Sequence, residues 1–200
     1  MIKTIQKYSL AIISLVAILV TIHLIAHWQS INPLQRVSSL LFIFISIHTW
    51  EEKCFGFEEL NQANLNGLNV NDGIGYLMLL LLTLYIGIVP LFFPQIPWLT
   101  CSIFILGFVE VVAHTLAIRM QTTHRFYNAG IATAYTLLPV TAIVGFYTLA
   151  QQGHFTWQNL VLGFLNLAIP LLLTQVIAVK SAGASYRTFL KNTRQSMKKH

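Results

Sequence analysis

Six stretches of about twenty mostly apolar residues, five of them with at most one charged residue, constrain this chain more than any other feature it has. They run Tyr8–Trp28, Val37–Phe57, Ile74–Phe93, Ile96–Ile118, Ala129–Ala150 and Trp157–Val179. A helix of about 20 apolar residues crosses a ~30 Å hydrocarbon layer with its backbone polar groups paired internally. Of the 200 residues, 56% are hydrophobic and 9% are charged, against roughly 25% charged in an ordinary soluble domain. Twelve Lys/Arg and six Asp/Glu are too few to cover a soluble surface, which argues against a soluble enzyme, a nucleic-acid binder or a disordered chain. The expectation is an all-α polytopic membrane protein: one membrane domain over residues 1–200, built as a bundle of six transmembrane helices.

The basic residues set its orientation. With Lys3 and Lys7 inside, eleven of the twelve Lys/Arg fall on the cytoplasmic side and only Arg36 falls outside. The positive-inside rule then puts both termini in the cytoplasm, and the compact chain suggests a bacterial inner (plasma) membrane. The first apolar run ends without a small-residue cleavage site, so it reads as a retained anchor rather than a removed signal peptide. Cys54 and Cys101 have neither metal-site nor disulfide spacing. The segment Glu58–Gly73, with five asparagines, is too polar for lipid and reads as a cytoplasmic loop. The basic tail after Ser181 reads as a solvated end near anionic headgroups. No internal repeat supports an inverted-repeat carrier.

The informative residues are polar ones at membrane depth, which are costly there and mark function. To reach about 20 residues the second span must run through His48-Thr49-Trp50-Glu51-Glu52. At about 100° per residue, His48, Glu51 and Glu52 share one face. In the fourth span Glu110 and His114 lie one turn apart, with Glu110 about 13 Å from the cytoplasmic end at ~1.5 Å per residue. Both patches fall toward the cytoplasmic side and can face each other. Half of the chain's six acidic residues go into them. Inward-facing His and Glu donors from two helices are a set that a divalent metal can use.

These residues resemble the signature of the HXXEE domain family of small integral membrane proteins, carried by His48, Glu51 and Glu52. A second block fits the same family: Glu110 and His114, then Arg125-Phe126-Tyr127-Asn128-Ala129-Gly130, then Pro139. The resemblance covers about residues 37–180 and departs at Ala129, where a proline is expected. Asn128 then caps the fifth span, with Ala129 at its first helical position. The resemblance implies the fold and no activity.

The chemistry is therefore read from the residues. His48, Glu52, Glu110 and His114 are the expected ligands of a divalent metal (zinc, iron or manganese), and Glu51 is the expected general base. The spacing is similar to an inverted zinc motif, with Glu52 in place of its second His. The substrate is expected to be a lipid or membrane-embedded molecule, with Arg119, His124, Arg125 and Asn128 as candidate headgroup contacts. Two alternatives stand. One is metal-free acid/base catalysis, since Glu51-Glu52 looks like the glutamate-type prenyl-peptide proteases, although Gly56 occupies the place of their arginine. The other is a proton or cation relay, as in a transporter or sensor. Membrane lipids are the expected partners; oligomeric state is not legible.

Overall fold

The computed structural model describes residues 2–56, 74–120 and 128–198. Its helices are α1 Ile2–Ala26, α2 Pro33–Cys54, α3 Ile74–Phe92, α4 Pro97–Met120, α5 Ile131–Tyr135, α6 Leu137–Gln151, α7 Trp157–Ser181 and α8 Tyr186–Lys198. No strand occurs among the described residues, so the all-α expectation holds. The segment Glu58–Gly73, together with His124 and Arg125, lies outside the described residues.

Each expected span coincides with a helix, α5 and α6 together making the fifth, but the count of six transmembrane helices needs correction. With α5–α6 taken as one interrupted helix, the described residues form seven helices. Four are long and apolar enough to cross a membrane: Tyr8–Ala26, Pro97–Arg119, Ile131–Gln151 and Trp157–Ser181. At 22 residues α2 is long enough, about 33 Å at 1.5 Å per residue. Its serines, Arg36, His48, Glu51, Glu52 and Lys53 dilute its apolar character. The apolar stretch of α3, Leu77–Phe92, is too short. The seventh helix is α8, in the tail that was expected to be only a solvated end.

Local chemistry sets the boundaries that matter for the site. At the start of α2 the Asn32 side chain accepts a hydrogen bond from Leu34 N at 2.8 Å, and Gln35 Oε1 accepts one from Asn32 N at 3.1 Å. With Pro33 at the first helical position this is a complete capping box. The break between α5 and α6 falls at Thr136, three residues before Pro139. Proline has no N–H to continue the ladder and is tolerated in the first turn of a new helix. The fifth span therefore starts at Ile131 with Gly130 as its N-cap, not at Ala129 with Asn128 as the cap.

Helices α2 and α4 pack against each other at the centre, with α1, α3, α6 and α7 around them. Leu41, Phe42 and Ile45 of α2 meet Ile103 and Phe104 of α4, with Leu138 and Ala142 of α6 alongside. The outer faces are as apolar as the core: Leu15, Ile22 and Ile25 on α1, Val140 and Ile143 on α6, and Phe164 and Leu173 on α7 are exposed. Contiguous apolar surface of this extent is foreign to a water-soluble monomer and compatible with a membrane protein.

Close helix contact in such bundles depends on small residues. A Cβ at Gly163 of α7 would lie 2.9 Å from Cys101 Cβ and 3.0 Å from the Trp98 carbonyl oxygen of α4. Gly163→Val is therefore expected to force α4 and α7 apart, at a cost of about 1–3 kcal/mol. Thermal unfolding in detergent should show a clear drop in Tm, while Leu162→Val on the neighbouring position leaves it within a degree or so.

Candidate metal centre

Helix α2 carries His48 and Glu52 one turn apart, and α4 carries Glu110 and His114 at the same spacing. Each pair shares a helix face, and the packing of α2 on α4 turns the two faces toward each other. His48 and His114 are 3% and 1% exposed, and their rings meet edge to face with centroids 5.0 Å apart. Their Nε2 atoms are 3.4 Å apart. Glu52 Oε1 lies 3.6 Å from His48 Nε2 and 3.4 Å from His114 Nε2. Glu110 Oε2 lies 3.6 Å and 4.0 Å from the same two nitrogens.

The other nitrogen of each ring is held by the turn that opens α5. Thr133 Oγ1 donates to Glu51 Oε2 at 2.6 Å. Its single proton is thereby used, so the same oxygen accepts from His48 Nδ1–H at 2.8 Å. On the other ring, Asn128 Oδ1 accepts from His114 Nδ1–H at 2.7 Å. With both Nδ1 atoms protonated in the neutral rings, both Nε2 atoms present lone pairs to the gap between them. Two lone pairs and two carboxylates then converge, an arrangement that a cation relieves. A tetrahedral ion with N and O ligands at ~2.0–2.2 Å separates its ligand atoms by about 3.3–3.6 Å. Most of the separations above fall at that spacing. His48, Glu52 and His114 form a group able to hold a metal ion, with one ligand atom from each lying within 4.8 Å of the others.

Gly130 closes the site from the side of the turn. Its φ is +92°, a region that favours glycine. A Cβ there would lie 2.5 Å from His114 Cε1, 2.8 Å from His48 Cε1 and 2.8 Å from Glu52 Cγ. The backbone of the turn thus touches three of the four converging residues. Thr115 of α4 and Tyr135 of α5 share a hydrogen bond that ties the turn to α4 as well.

The structure brings His48, Glu52, Glu110 and His114 together, as the sequence reading expects. It places Glu51 differently. Both of its oxygens are engaged at the start of α5: Oε1 accepts from Ala132 N at 3.0 Å and Oε2 from Thr133 N at 3.0 Å. A carboxylate is stabilised at that position by the unpaired N–H groups of the helix end. Glu51 is thus hydrogen-bonded to Thr133, which in turn meets His48. Asn128 is 1% exposed and turned toward His114, so it does not face outward to meet a headgroup. Arg119 is exposed at the end of α4. Gln175 accepts from Tyr186 OH of α8 at 2.6 Å, a packing bond and not a contact of the cluster.

Thr133 and Gly130 escape sequence reading as site residues. The one available signal was the Asn-Ala-Gly turn directly before an apolar run, which asks for a special backbone conformation without saying what it touches. The hydrogen-bond pattern predicts the Nδ1–H tautomer at both histidines, to be checked by ¹⁵N NMR of histidine-labelled protein. Asn128→Leu should release His114 from that tautomer and leave His48 in it. An Nε2–H form at His114 in the unmodified protein would mean that the Asn128 amide nitrogen faces the ring.

The sequence profile of the HXXEE family, described as a protein of unknown function with HXXEE motif, matches residues 39–144. That stretch is more than half of the chain and holds every residue of the cluster and of the turn around it. No curated protein and no solved structure matches the chain. The chain belongs to the HXXEE family.

Proposed function

We propose that this protein is a metal-dependent enzyme of the plasma membrane that acts on a lipid or membrane-embedded substrate. The observation that carries the reading is the convergence of two imidazole lone pairs and two carboxylates on one point, with 3.4 Å between the two Nε2 atoms. His48, His114 and Glu52 are the ligands, a two-His, one-Glu set that suits zinc for hydrolysis and also accepts iron or manganese. A divalent ion held there would supply Lewis acidity and a water of lowered pKa. Glu110, 4.0 Å from His114 Nε2 against 3.4 Å for Glu52, would be the proton acceptor. Thr133 and Asn128 hold the two rings by Nδ1, which fixes the tautomer a metal needs.

Elemental analysis of the purified protein by inductively coupled plasma mass spectrometry tests this. One equivalent of zinc, iron or manganese is expected, retained in Glu110→Gln and lost in His48→Ala/His114→Ala. Thr133→Val and Asn128→Leu should each weaken the metal about 10–100-fold, the usual effect of removing a partner of a metal-bound His. No metal in the unmodified protein, even after soaking with all three ions, would sink the proposal.

The chain Glu51–Thr133–His48 also supports a second reading, a proton or cation relay, because it links a carboxylate to a buried imidazole through one hydroxyl. Proton flux in proteoliposomes that survives metal removal and stops in Thr133→Val would select it. The proposed topology is multi-pass with both termini cytoplasmic, supported by the eleven-to-one distribution of Lys and Arg. Fluorescent fusions at either terminus should be active and alkaline phosphatase fusions inactive.

A further inference from the structure

A cavity of about 300 Å³ lies beside the cluster, between α1, α2, α3, α4 and α7. Its walls differ sharply in chemistry. His48, Glu52 and Glu110 line one end, and His114 is not among the lining residues. The cluster is therefore covered on the His114 and Gly130 side and turns its other side to the cavity. The remaining wall is mainly aliphatic, with Ile13 from α1, Ile45 from α2, Leu80 and Ile86 from α3 and Leu171 from α7. The first four of these are under 9% exposed, so their side chains belong to the interior.

Away from the polar side chains of the cluster end and of Ser9, Thr49, Lys53 and Thr83, this aliphatic wall offers water few of the two to four polar partners it needs. At about 300 Å³ the cavity lies at the small end of the ~300–1,000 Å³ range of ligand pockets. A cavity of that size suits one alkyl segment better than two acyl chains or a folded peptide. We infer that the cavity is a chain pocket, and that the ligand of this site is a single-chain amphiphile whose polar end meets His48, Glu52 and Glu110 while its alkyl segment lies among α1, α3 and α7. This inference rests on the metal-enzyme reading above and gives it a substrate class.

The test uses the full-length protein in nanodiscs equilibrated with saturated n-alkyl carboxylates of six to sixteen carbons, with adducts counted by native mass spectrometry. Metal is measured separately on the same samples. Leu80→Trp and Leu171→Trp fill the chamber from two different helices, outside the cluster. A one-to-one adduct is expected, favouring the shorter chains over sixteen carbons by several-fold. It should fall at least tenfold in both variants, with metal content and Tm unchanged. An adduct that ignores chain length, or that survives in both folded variants, overturns the chain pocket while leaving the metal reading untouched. A chain-length-selective adduct in a protein that binds no metal supports the pocket and removes the metal reading instead.

Discussion

Two hydrogen bonds from imidazole Nδ1 atoms to one short turn organise the centre of this protein. His48 donates to Thr133 and His114 to Asn128, at 2.8 Å and 2.7 Å. The rings come from different helices and the acceptors from residues five apart in the chain. Neither ring has much freedom once its nitrogen is held in a site this buried, because an unmade polar contact there costs about 1–3 kcal/mol. Glu51 strengthens the arrangement from behind, since its charge is spent on the helix start that carries Thr133. The second glutamate of the motif, Glu52, is then the one left to face the histidines. Adjacent carboxylates on one helix thus take different tasks, one holding the turn and one completing the cluster.

The same packing explains why a polar helix sits at the middle of an apolar bundle. The serines Ser38, Ser39 and Ser46 of α2 are buried along with His48. α1, α3, α4 and α6 lie against α2, so its polar groups meet protein and not the apolar exterior. Ser46 Oγ donates to the Phe42 carbonyl at 2.9 Å, and Thr49 Oγ1 to that of Ile45 at 2.9 Å, so these two hydroxyls are satisfied within the helix itself. Trp50, at the edge, gives its indole N–H to Ser14 of α1 at 2.7 Å. The exposed faces of α1, α6 and α7 carry the aliphatic side chains that a hydrocarbon solvent accepts.

Much of this was legible in the amino-acid order, for identifiable reasons. Long apolar runs leave few options, so the helices and their approximate ends follow from hydropathy. The pairs His48/Glu52 and Glu110/His114 follow from helical spacing, because four residues return a side chain to the same face. That the pairs meet was a reasonable step from their common depth. Thr133 was not legible, because a threonine in an apolar helix ordinarily bonds to its own backbone, as Thr141 does to Leu137. The hydrogen-bond partners of Glu51 were not legible for a related reason. Face geometry on α2 gives direction, but it contains nothing about an unpaired helix start contributed from eighty residues away. The C-terminal helix was also missed. Its apolar Phe189 and Leu190 recur among basic residues at a spacing too sparse for a hydropathy average, and Phe189 is buried against Val179 of α7.

The turn at Gly130 has a consequence for how the whole bundle holds together. The cluster joins segments 66 and 85 residues apart in sequence, and no single helix owns it. A ligand seated between the two histidines therefore also clamps α2 to α4 and, through the turn, to the helix that follows. By mass action a ligand at a thousand times its Kd adds about 4 kcal/mol to the folded state, comparable to a large share of a typical domain's stability. An occupied centre would then act as a latch on assembly, and chain copies whose helices have not docked would be distinguishable from finished ones by their failure to retain the occupant.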